Sequence, residues 1–295
     1  MKNLSVSEQL THTTVRIECD LANGASSSGT GFFFRFMDSA ESHYPAIVTN
    51  KHVVNGALRG RFHITPTTPA GDPDHARHRR IEIEDFAQKW IDHPDPQIDL
   101  CIMPIAPLLS NTKGEADFFY LGLDKSLLLT AAELDELSAV EDVIMIGYPS
   151  GIWDATNNMP IVRKGITATH LNLRYEGRDE FLIDAACFPG SSGSPVFLYN
   201  AGGYTTRSGN MMLGSVRAKL LGVLYAGPTV TAEGVVRIVE IPTGAQAVSV
   251  SRIQINLGMV IRAERLLDFD TLLETLLPPG PLLPGTVVTF ILPRR

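Results

Sequence analysis

The sequence predicts an all-β fold made of two β units of similar size, followed by a C-terminal helix. Short apolar or alternating runs separated by turn residues recur along the first part of the chain, and the same pattern recurs in the second part. Near the C-terminus, one longer segment instead spaces its apolar residues at helical intervals.

The N-terminal unit is predicted to span residues 1–120. Its apolar runs have the length of strands and are bounded by Gly, Pro, Asn and Asp, which favour turns. The predicted strands are Val15–Glu18, Gly31–Phe36, Ala46–Asn50, Ile81–Phe86 and Leu100–Ile105.

The second unit is predicted to span residues 143–261. Its strands are expected at Val143–Gly147, Ile161–Ala168, Phe181–Ala185, Ser194–Tyr199, Leu220–Tyr225, Val235–Ile241 and Asn256–Ile261. The interval from Thr229 to Arg252 is longer than a minimal unit requires, and we expect an extra hairpin there.

Helical signals mark residues 121–142 and 262–295. Thr130 and Glu133 have the spacing of a capping box, which predicts a short helix in the connection between the units. Arg262–Leu277 carries apolar residues at helical intervals and is followed by two prolines that end the helix. The remaining tail is expected to form either an edge strand at Val287–Leu292 or a loose extension.

Composition restricts the class of partner. With 25 basic and 32 acidic side chains, the formal net charge of −7 does not favour nucleic acid, and we expect a peptide or protein partner. The chain contains neither a secretory signal nor a run of 18 apolar residues, so we expect a cytoplasmic protein without a membrane partner. Its three cysteines are expected to be buried free thiols, and neither a cofactor nor a metal is predicted.

The segment FPGSSGSP at residues 188–195 places a serine between glycines just before a predicted strand. Glycine allows backbone N–H groups to approach a substrate carbonyl, because no Cβ stands in the way. We therefore interpret Ser192 as a nucleophile, with the N–H groups of Gly190 and Ser192 as an oxyanion hole. On its own this motif is weak, since Gly, Ser and Pro clusters usually form plain turns.

Two further residues complete the chemistry that a serine nucleophile requires. His52 follows an apolar strand and can face a cleft as the general base, although most histidines have no such role. Asp99 stands at the head of another apolar strand, where a buried carboxylate needs a partner. An aspartate that accepts the histidine Nδ1–H would fix its tautomer. The alternative is an aspartate that caps a turn.

The order His, Asp, Ser with these flanks resembles the chymotrypsin/trypsin superfamily, and most closely the bacterial Deg-type trypsin-like peptidases. The segments that carry the resemblance are SGTGFF (28–33), IVTNKHV (47–53), IDLC (98–101), IMIGYP (144–149) and DAACFPGSSGSP (184–195). The resemblance implies a serine endopeptidase with two six-stranded antiparallel β-barrels and the triad between them.

The sequence departs from secreted members of that superfamily beside the histidine and beside the serine. Val53 follows His52, and Ser191 precedes Ser192, so neither the usual cysteine nor the aspartate that pairs with a new N-terminus is present. We expect folding without removal of a propeptide. Ser194 replaces a glycine and is expected to crowd its turn. Control by a separate regulatory protein or by a disordered loop is expected, with Gly147–Lys164 as the candidate loop.

The resemblance also implies a substrate pocket formed by two segments. Its lining is predicted to be Ala186, Cys187, Phe188, Leu224, Tyr225, Ala226 and Gly227. Ala186, six residues before Ser192, offers no carboxylate to a basic side chain, so small or medium apolar residues are the expected preference. Tyr225 to Gly227 would also pair with the substrate backbone.

Three alternatives to these interpretations are compatible with parts of the sequence. The trypsin fold without catalysis, as a binding module, is the main one. An esterase with its triad on an α/β sheet would require long helices and the order Ser, Asp, His, which the sequence lacks. Separately, His75 and His78 in a Pro- and Gly-rich stretch could hold zinc or an anion, but a solvated loop is the interpretation we favour.

Overall fold

In the computed structural model, β-strands dominate the chain, which is described at residues 4–39, 42–106, 108, 118–236 and 247–276. The strands form one large N-terminal sheet, one closed barrel and two small hairpins. The all-β prediction is confirmed, and the two larger sheets follow one another along the sequence.

The N-terminal sheet is antiparallel and has the strand order β5-β4-β1-β2-β3-β7-β6, with β8 paired to β4. Its strands are β1 Thr14–Leu21, β2 Ser26–Phe36, β3 Tyr44–Thr49, β4 Ala57–Pro66, β5 Arg79–Glu84, β6 Ile91–Asp92, β7 Cys101–Pro104 and β8 Phe118–Phe119. The predicted closure into a second barrel is not confirmed. At the edge, β6 has two residues and pairs only with β7 in the described part of the chain.

The second sheet closes into the six-stranded barrel β10-β11-β18-β15-β12-β9, as predicted. Its strands are β9 Asp142–Gly147, β10 Ile161–Thr167, β11 Glu180–Asp184, β12 Pro195–Asn200, β15 Arg217–Ala226 and β18 Leu257–Arg262. Two hairpins extend from it, β13 Gly203–Thr205 with β14 Met211–Leu213 and β16 Thr229–Val236 with β17 Ala247–Gln254. The second of these is the extra hairpin predicted from the sequence.

The helices are short. They are α1 Val6–Thr11, α2 Lys51–Val54, α3 Ala131–Asp135 and α4 Asp268–Leu276, with 3₁₀ turns at Phe86–Lys89, Lys125–Leu127, Pro149–Gly151, Tyr175–Gly177 and Ala263–Leu267. The predicted capping box at Thr130 and Glu133 is present at the start of α3. The predicted C-terminal helix is the last 3₁₀ turn together with α4, whereas Val287–Leu292 lies outside the described residues.

A buried apolar cluster joins the sheet to the barrel and to the C-terminal helix. Phe34 and Ile102 come from the sheet, Ile146 and Phe197 from the barrel, and Phe269 from α4. Because one core spans all three, the sheet, the barrel and the C-terminal helix pack against one another.

Candidate active site

His52 and Asp99 meet at one end of the N-terminal sheet. His52 lies in α2, which begins two residues after the end of β3, and Asp99 lies two residues before Cys101, the first residue of β7 and the partner of Thr49 at the end of β3. His52 Nδ1 lies 2.5 Å from Asp99 Oδ2, and the His52 backbone N–H donates to Asp99 Oδ1 at 3.2 Å. The Asn50 side chain donates to the Asp99 carbonyl at 2.7 Å, so the loop is held at both its backbone and its carboxylate.

The imidazole is partly open to solvent and the carboxylate less so. The side chain of His52 is 48% exposed and that of Asp99 is 26% exposed. An ionised carboxylate can only accept hydrogen bonds, so a neutral His52 must carry its proton on Nδ1. Its Nε2 is then left with a lone pair that can take a proton.

Ser192 lies in a tight turn between β11 and β12. The turn is closed by the Ser191 N–H donating to the Phe188 carbonyl and by the Ser194 N–H donating to the Ser191 carbonyl. Ser192 Oγ lies 3.4 Å from the Tyr225 carbonyl. Within the described residues, no hydrogen bond joins Ser192 Oγ to His52, so the structure joins His52 to Asp99 but leaves the serine unbonded to the histidine.

Thr30, on β2, connects the serine turn to the N-terminal sheet. Its N–H donates to the Ser192 carbonyl at 2.9 Å, and its hydroxyl donates to the Gly190 carbonyl at 2.9 Å. The same hydroxyl accepts the Tyr148 N–H, and the Thr30 carbonyl accepts the Thr49 hydroxyl at 2.7 Å. Thr30 is fully buried, so each of these bonds satisfies a group that water does not reach.

Gly193 is required by the close approach of the two sheets at this turn. Its φ is +86°, and a Cβ placed there would lie 1.9 Å from the Thr30 carbonyl oxygen and 2.4 Å from Thr49 Oγ1. The Gly193 N–H in turn donates to the Leu224 carbonyl at 2.8 Å. No other residue type fits between these groups without moving backbone.

Ser194 is accommodated differently from the expectation. It is fully buried and faces Gly147, where a Cβ would lie only 2.1 Å from Ser194 Oγ. The glycine leaves room for the extra hydroxyl, so Ser194 does not crowd its own turn as the sequence had suggested.

The peptide between Pro189 and Gly190 is held in one orientation. The Ser150 N–H donates to the Pro189 carbonyl at 2.5 Å, and Gly190 has φ +86°. In a trans peptide the N–H points opposite to the carbonyl, so the Gly190 N–H points away from Ser150. In the part of the chain that is described, the N–H groups of Gly190 and Ser192 make no hydrogen bond.

Residues 149–158, which we call the Trp153 segment, connect this peptide to the N-terminal sheet. Trp153 packs against the rings of His63 and His78 at centroid distances of 4.9 and 5.5 Å. The Arg16 guanidinium lies 5.2 Å from the indole centroid. These contacts differ from the expectation of a disordered loop between Gly147 and Lys164.

Hydrogen bonds hold the far end of the Trp153 segment. The Asn158 amide donates to the His63 carbonyl at 3.2 Å and to Thr65 Oγ1 at 3.0 Å. His75 Nδ1 lies 3.3 Å from the Asn157 carbonyl. His75 and His78 thus pack against this segment, and no metal-binding cluster is present among the described residues.

The predicted substrate pocket has an apolar wall. Cys187 is buried, and burial raises the pKa of its thiol to about 11. A Cβ on Gly227 would lie 3.9 Å from the Cys187 Cβ, so the two predicted pocket segments face each other. Phe188 is 39% exposed, with the Arg163 guanidinium 4.8 Å from its ring centroid.

The other predicted pocket residues belong to the same two segments. Ala186 is partly exposed, Leu224 is buried, and Tyr225 and Ala226 are partly buried at the end of β15. Burial and the neighbouring Glu180 carboxylate raise the pKa of the Tyr225 hydroxyl.

Comparison with known proteins decides the family. A family model described as "Trypsin-like peptidase domain" matches residues 29–203, more than half of the chain. The chain belongs to the trypsin-like peptidase family. The resemblance predicted from the sequence is therefore confirmed.

Solved structures that are similar to this chain include the following three. "HtrA-type protease AlgW with tripeptide" is 16% identical over 91% of this chain and 62% of its own, with a TM-score of 0.44. The active form of the Rv3671c protease from M. tuberculosis is 16% identical over 96% and 88%, with a TM-score of 0.44. Deg5 is 20% identical over 75% and 82%, with a TM-score of 0.42.

The chain spans less than two thirds of the AlgW chain. A search of curated proteins finds no significant match. Among the described residues, no helix has the length and apolar character needed to cross a bilayer.

Sequence reasoning missed Thr30, Ser150 and Trp153. Thr30 lies inside the SGTGFF segment, where the signal was a polar residue between glycines on an apolar strand. Ser150 donates through its backbone N–H, which almost every residue type has, so the sequence contains no signal for it. Trp153 lay within the segment predicted to be a loop, but nothing in the sequence indicated what it packs against.

Proposed function

We propose that this chain is a serine endopeptidase that cleaves peptide bonds through an acyl-enzyme on Ser192. The observation that carries the proposal is the 2.5 Å contact of His52 Nδ1 with Asp99 Oδ2, beside a serine turn bonded to the same sheet through Thr30. Two unbonded N–H groups, those of Gly190 and Ser192, supply the proposed oxyanion hole.

In the proposed mechanism, Ser192 Oγ attacks the substrate carbonyl carbon and His52 Nε2 takes the hydroxyl proton. Asp99 stabilises the imidazolium that forms, and the two N–H groups bind the oxyanion. His52 then gives the proton to the leaving amine, and the peptide bond breaks. A water molecule, deprotonated by His52, attacks the acyl-enzyme and releases Ser192.

The hydrogen bond between Ser192 and His52 is expected to form when substrate binds. Catalytic hydrogen bonds are often long or absent in unliganded enzymes and tighten in the complex. The contact of Ser192 Oγ with the Tyr225 carbonyl, at 3.4 Å, is weak enough to be exchanged for one to His52.

We propose that small or medium apolar residues are preferred at the cleaved position. The protonated thiol of Cys187 and the methyl group of Ala186 offer neither charge nor strong hydrogen bonds. A peptide library should therefore show cleavage after Ala, Val or Leu, and a profile dominated by Lys or Arg would contradict this preference.

The test of the catalytic proposal uses a fluorophosphonate probe with Ser192→Ala and Ser191→Ala as a matched pair. The probe should label the unaltered chain at Ser192, and Ser192→Ala should lose both labelling and hydrolysis of a casein-like substrate. Ser191→Ala should remain labelled, because the Ser191 side chain is buried in the turn. Labelling that persists in Ser192→Ala would remove Ser192 from the mechanism.

A binding module without catalysis is the second candidate. The observation that favours it is the absence, among the described residues, of a bond from Ser192 Oγ to His52. In that case the probe would not label the chain, while peptides would bind equally well to the unaltered chain and to Ser192→Ala.

A further inference from the structure

His93 is a buried histidine that the proposed mechanism does not use. Its side chain is 0% exposed, and it begins the loop 93–99, which ends at Asp99. The His93 N–H donates to the Leu100 carbonyl at 2.9 Å, so the two ends of this loop are bonded to each other.

The ring of His93 contacts both its own loop and the C-terminal segment. Its Nδ1 accepts the Asp95 N–H at 3.0 Å, and a peptide N–H can only donate, so Nδ1 carries a lone pair. The proton is therefore on Nε2, which lies 3.0 Å from the Arg265 carbonyl and 3.0 Å from Asp268 Oδ2. The ring also makes an edge contact with Phe269 at 5.1 Å.

Ion pairs of Arg265 near the His93 ring also link the loop to the C-terminal segment. Arg265 Nη2 lies 2.8 Å from Asp268 Oδ2 and 3.7 Å from Asp95 Oδ2, and Arg265 Nη1 lies 3.8 Å from Asp179 Oδ2. One guanidinium thus lies between the loop, the start of α4 and the barrel. Phe269 anchors α4 in the shared core, so the C-terminal residues that contact His93 are themselves held in place.

Besides the bonds that Asn50 and His52 donate to Asp99, the loop is held by a few bonds around Asp95 and Pro96. The Ile98 N–H donates to the Asp95 carbonyl at 3.1 Å, and the Gln97 N–H donates to Asp95 Oδ1 at 2.9 Å. Lys51 Nζ lies 3.4 Å from the Pro96 carbonyl. Asp95, at the centre of these bonds, is the residue whose N–H is bonded to His93.

We propose that His93 is a positioning residue for Asp99, through which the C-terminal helix sets the orientation of the catalytic His52. The inference deepens the proposed function and rests on it. The chain of contacts runs from α4 through His93 to Asp95, and from there along the loop to the carboxylate that holds His52 Nδ1. A shift of the carboxylate by a fraction of an ångström would weaken the 2.5 Å contact and misorient the base.

The test compares His93→Phe with His43→Phe. Phe keeps the apolar contact of the ring with Phe269 but removes both nitrogen atoms. His43 is also buried, but it lies just before β3, at the opposite end of that strand from His52, so it controls for the loss of a buried histidine. Asp268→Asn is a third variant, which keeps the size of the side chain but removes the charge that lies 3.0 Å from His93 Nε2.

The first readout is the low-field proton resonance of the His52 Nδ1–H, assigned by its loss in His52→Ala. It is recorded without substrate, so it reports on the contact with Asp99 even if the chain hydrolyses nothing. We expect His93→Phe to shift or broaden this resonance, His43→Phe to leave it in place, and Asp268→Asn to give an intermediate change.

The second readout is the rate against a peptide substrate as a function of pH. His93→Phe should lower kcat by about ten- to hundredfold with KM little changed, and it should move the acidic limb of the kcat/KM profile. A folded His93→Phe with an unchanged resonance would overturn the proposal, as would equal effects of His93→Phe and His43→Phe. If the unaltered chain is inactive yet its resonance responds to His93→Phe, the proposed function fails and the positioning role stands.

Discussion

The N–H of Thr30, on the second strand of the N-terminal sheet, donates to the carbonyl of Ser192, in the turn of the barrel, at 2.9 Å. The two residues are 162 positions apart in the sequence. This bond attaches the predicted nucleophile to the sheet that carries the predicted base. Sheet and barrel are therefore joined directly at the site, and not only through their shared core.

Thr30→Val should reduce activity more than Thr30→Ser. Valine has the shape of threonine but lacks the hydroxyl, so the Gly190 carbonyl and the Tyr148 N–H would lose their partner in a buried position. We expect about 1–3 kcal/mol lower stability and a lower kcat, measured by denaturant unfolding and peptide hydrolysis. Thr30→Ser keeps the hydroxyl and should stay close to the unaltered chain. Equal activities in the two variants would contradict the role given to this hydroxyl.

Comparing Gly193→Ala with Gly202→Ala distinguishes two causes of lost stability: backbone strain at the substituted residue, and a steric clash between the sheet and the barrel. The two glycines have nearly equal φ values, +86° and +85°, but nothing lies within 4 Å of a Cβ on Gly202. Gly202→Ala should cost about 1–2 kcal/mol from backbone strain alone. Gly193→Ala should cost more and should abolish hydrolysis, because the new Cβ overlaps the Thr30 carbonyl. Thermal unfolding of both variants measures the difference, and equal losses would argue against the clash.

Trp153→Ala should lower kcat while leaving most of the fold intact. The substitution removes the ring that packs on His63 and His78, and the Trp153 segment would hold Ser150 less firmly against the Pro189 carbonyl. Trp153→Phe should recover part of the rate, because it restores an aromatic contact. Steady-state kinetics on a peptide substrate, with circular dichroism as the control for folding, tests this. If Trp153→Ala has the unaltered kcat, the segment does not control the proposed oxyanion hole.

His12 should make the protein less stable in acid. Burial, and then the charge of the nearby His75, lower the pKa of His12 to about 4 from 6.5. The unfolded chain takes up the proton near pH 6.5 and the folded chain only near pH 4, so the stabilisation is complete above pH 6.5 and is lost as the pH falls towards 4. The free energy of unfolding should fall by at most about 3 kcal/mol for this reason.

The variant His12→Phe tests this dependence, because it keeps a ring beside Phe119, which lies at a centroid distance of 4.9 Å. Urea unfolding between pH 4 and pH 7 should show a shallower loss of stability in His12→Phe than in the unaltered chain. The same slope for both proteins would mean that other groups carry the acid sensitivity.

Much of the fold could be predicted, because local sequence patterns indicate where most strands and helices lie. The strands of the barrel, the capping box at Thr130 and the apolar spacing of the C-terminal helix all depend on neighbouring residues. Closure of the N-terminal sheet was not confirmed, since closure depends on which distant strands pair at the edges. The two-residue strand β6 gave no sequence signal from which that pairing could be inferred.

The sequence by itself determined the residue types and their order: a histidine after one apolar strand, an aspartate before another and a serine between glycines. Only the tertiary structure decided how they are held. In the structure, the Thr30 N–H donates to the Ser192 carbonyl and the Ser150 N–H donates to the Pro189 carbonyl. His93 lies between the Asp99 loop and the C-terminal helix. Hydrogen bonds between residues far apart in the chain, several of them from backbone groups that every residue type shares, leave no pattern in the sequence.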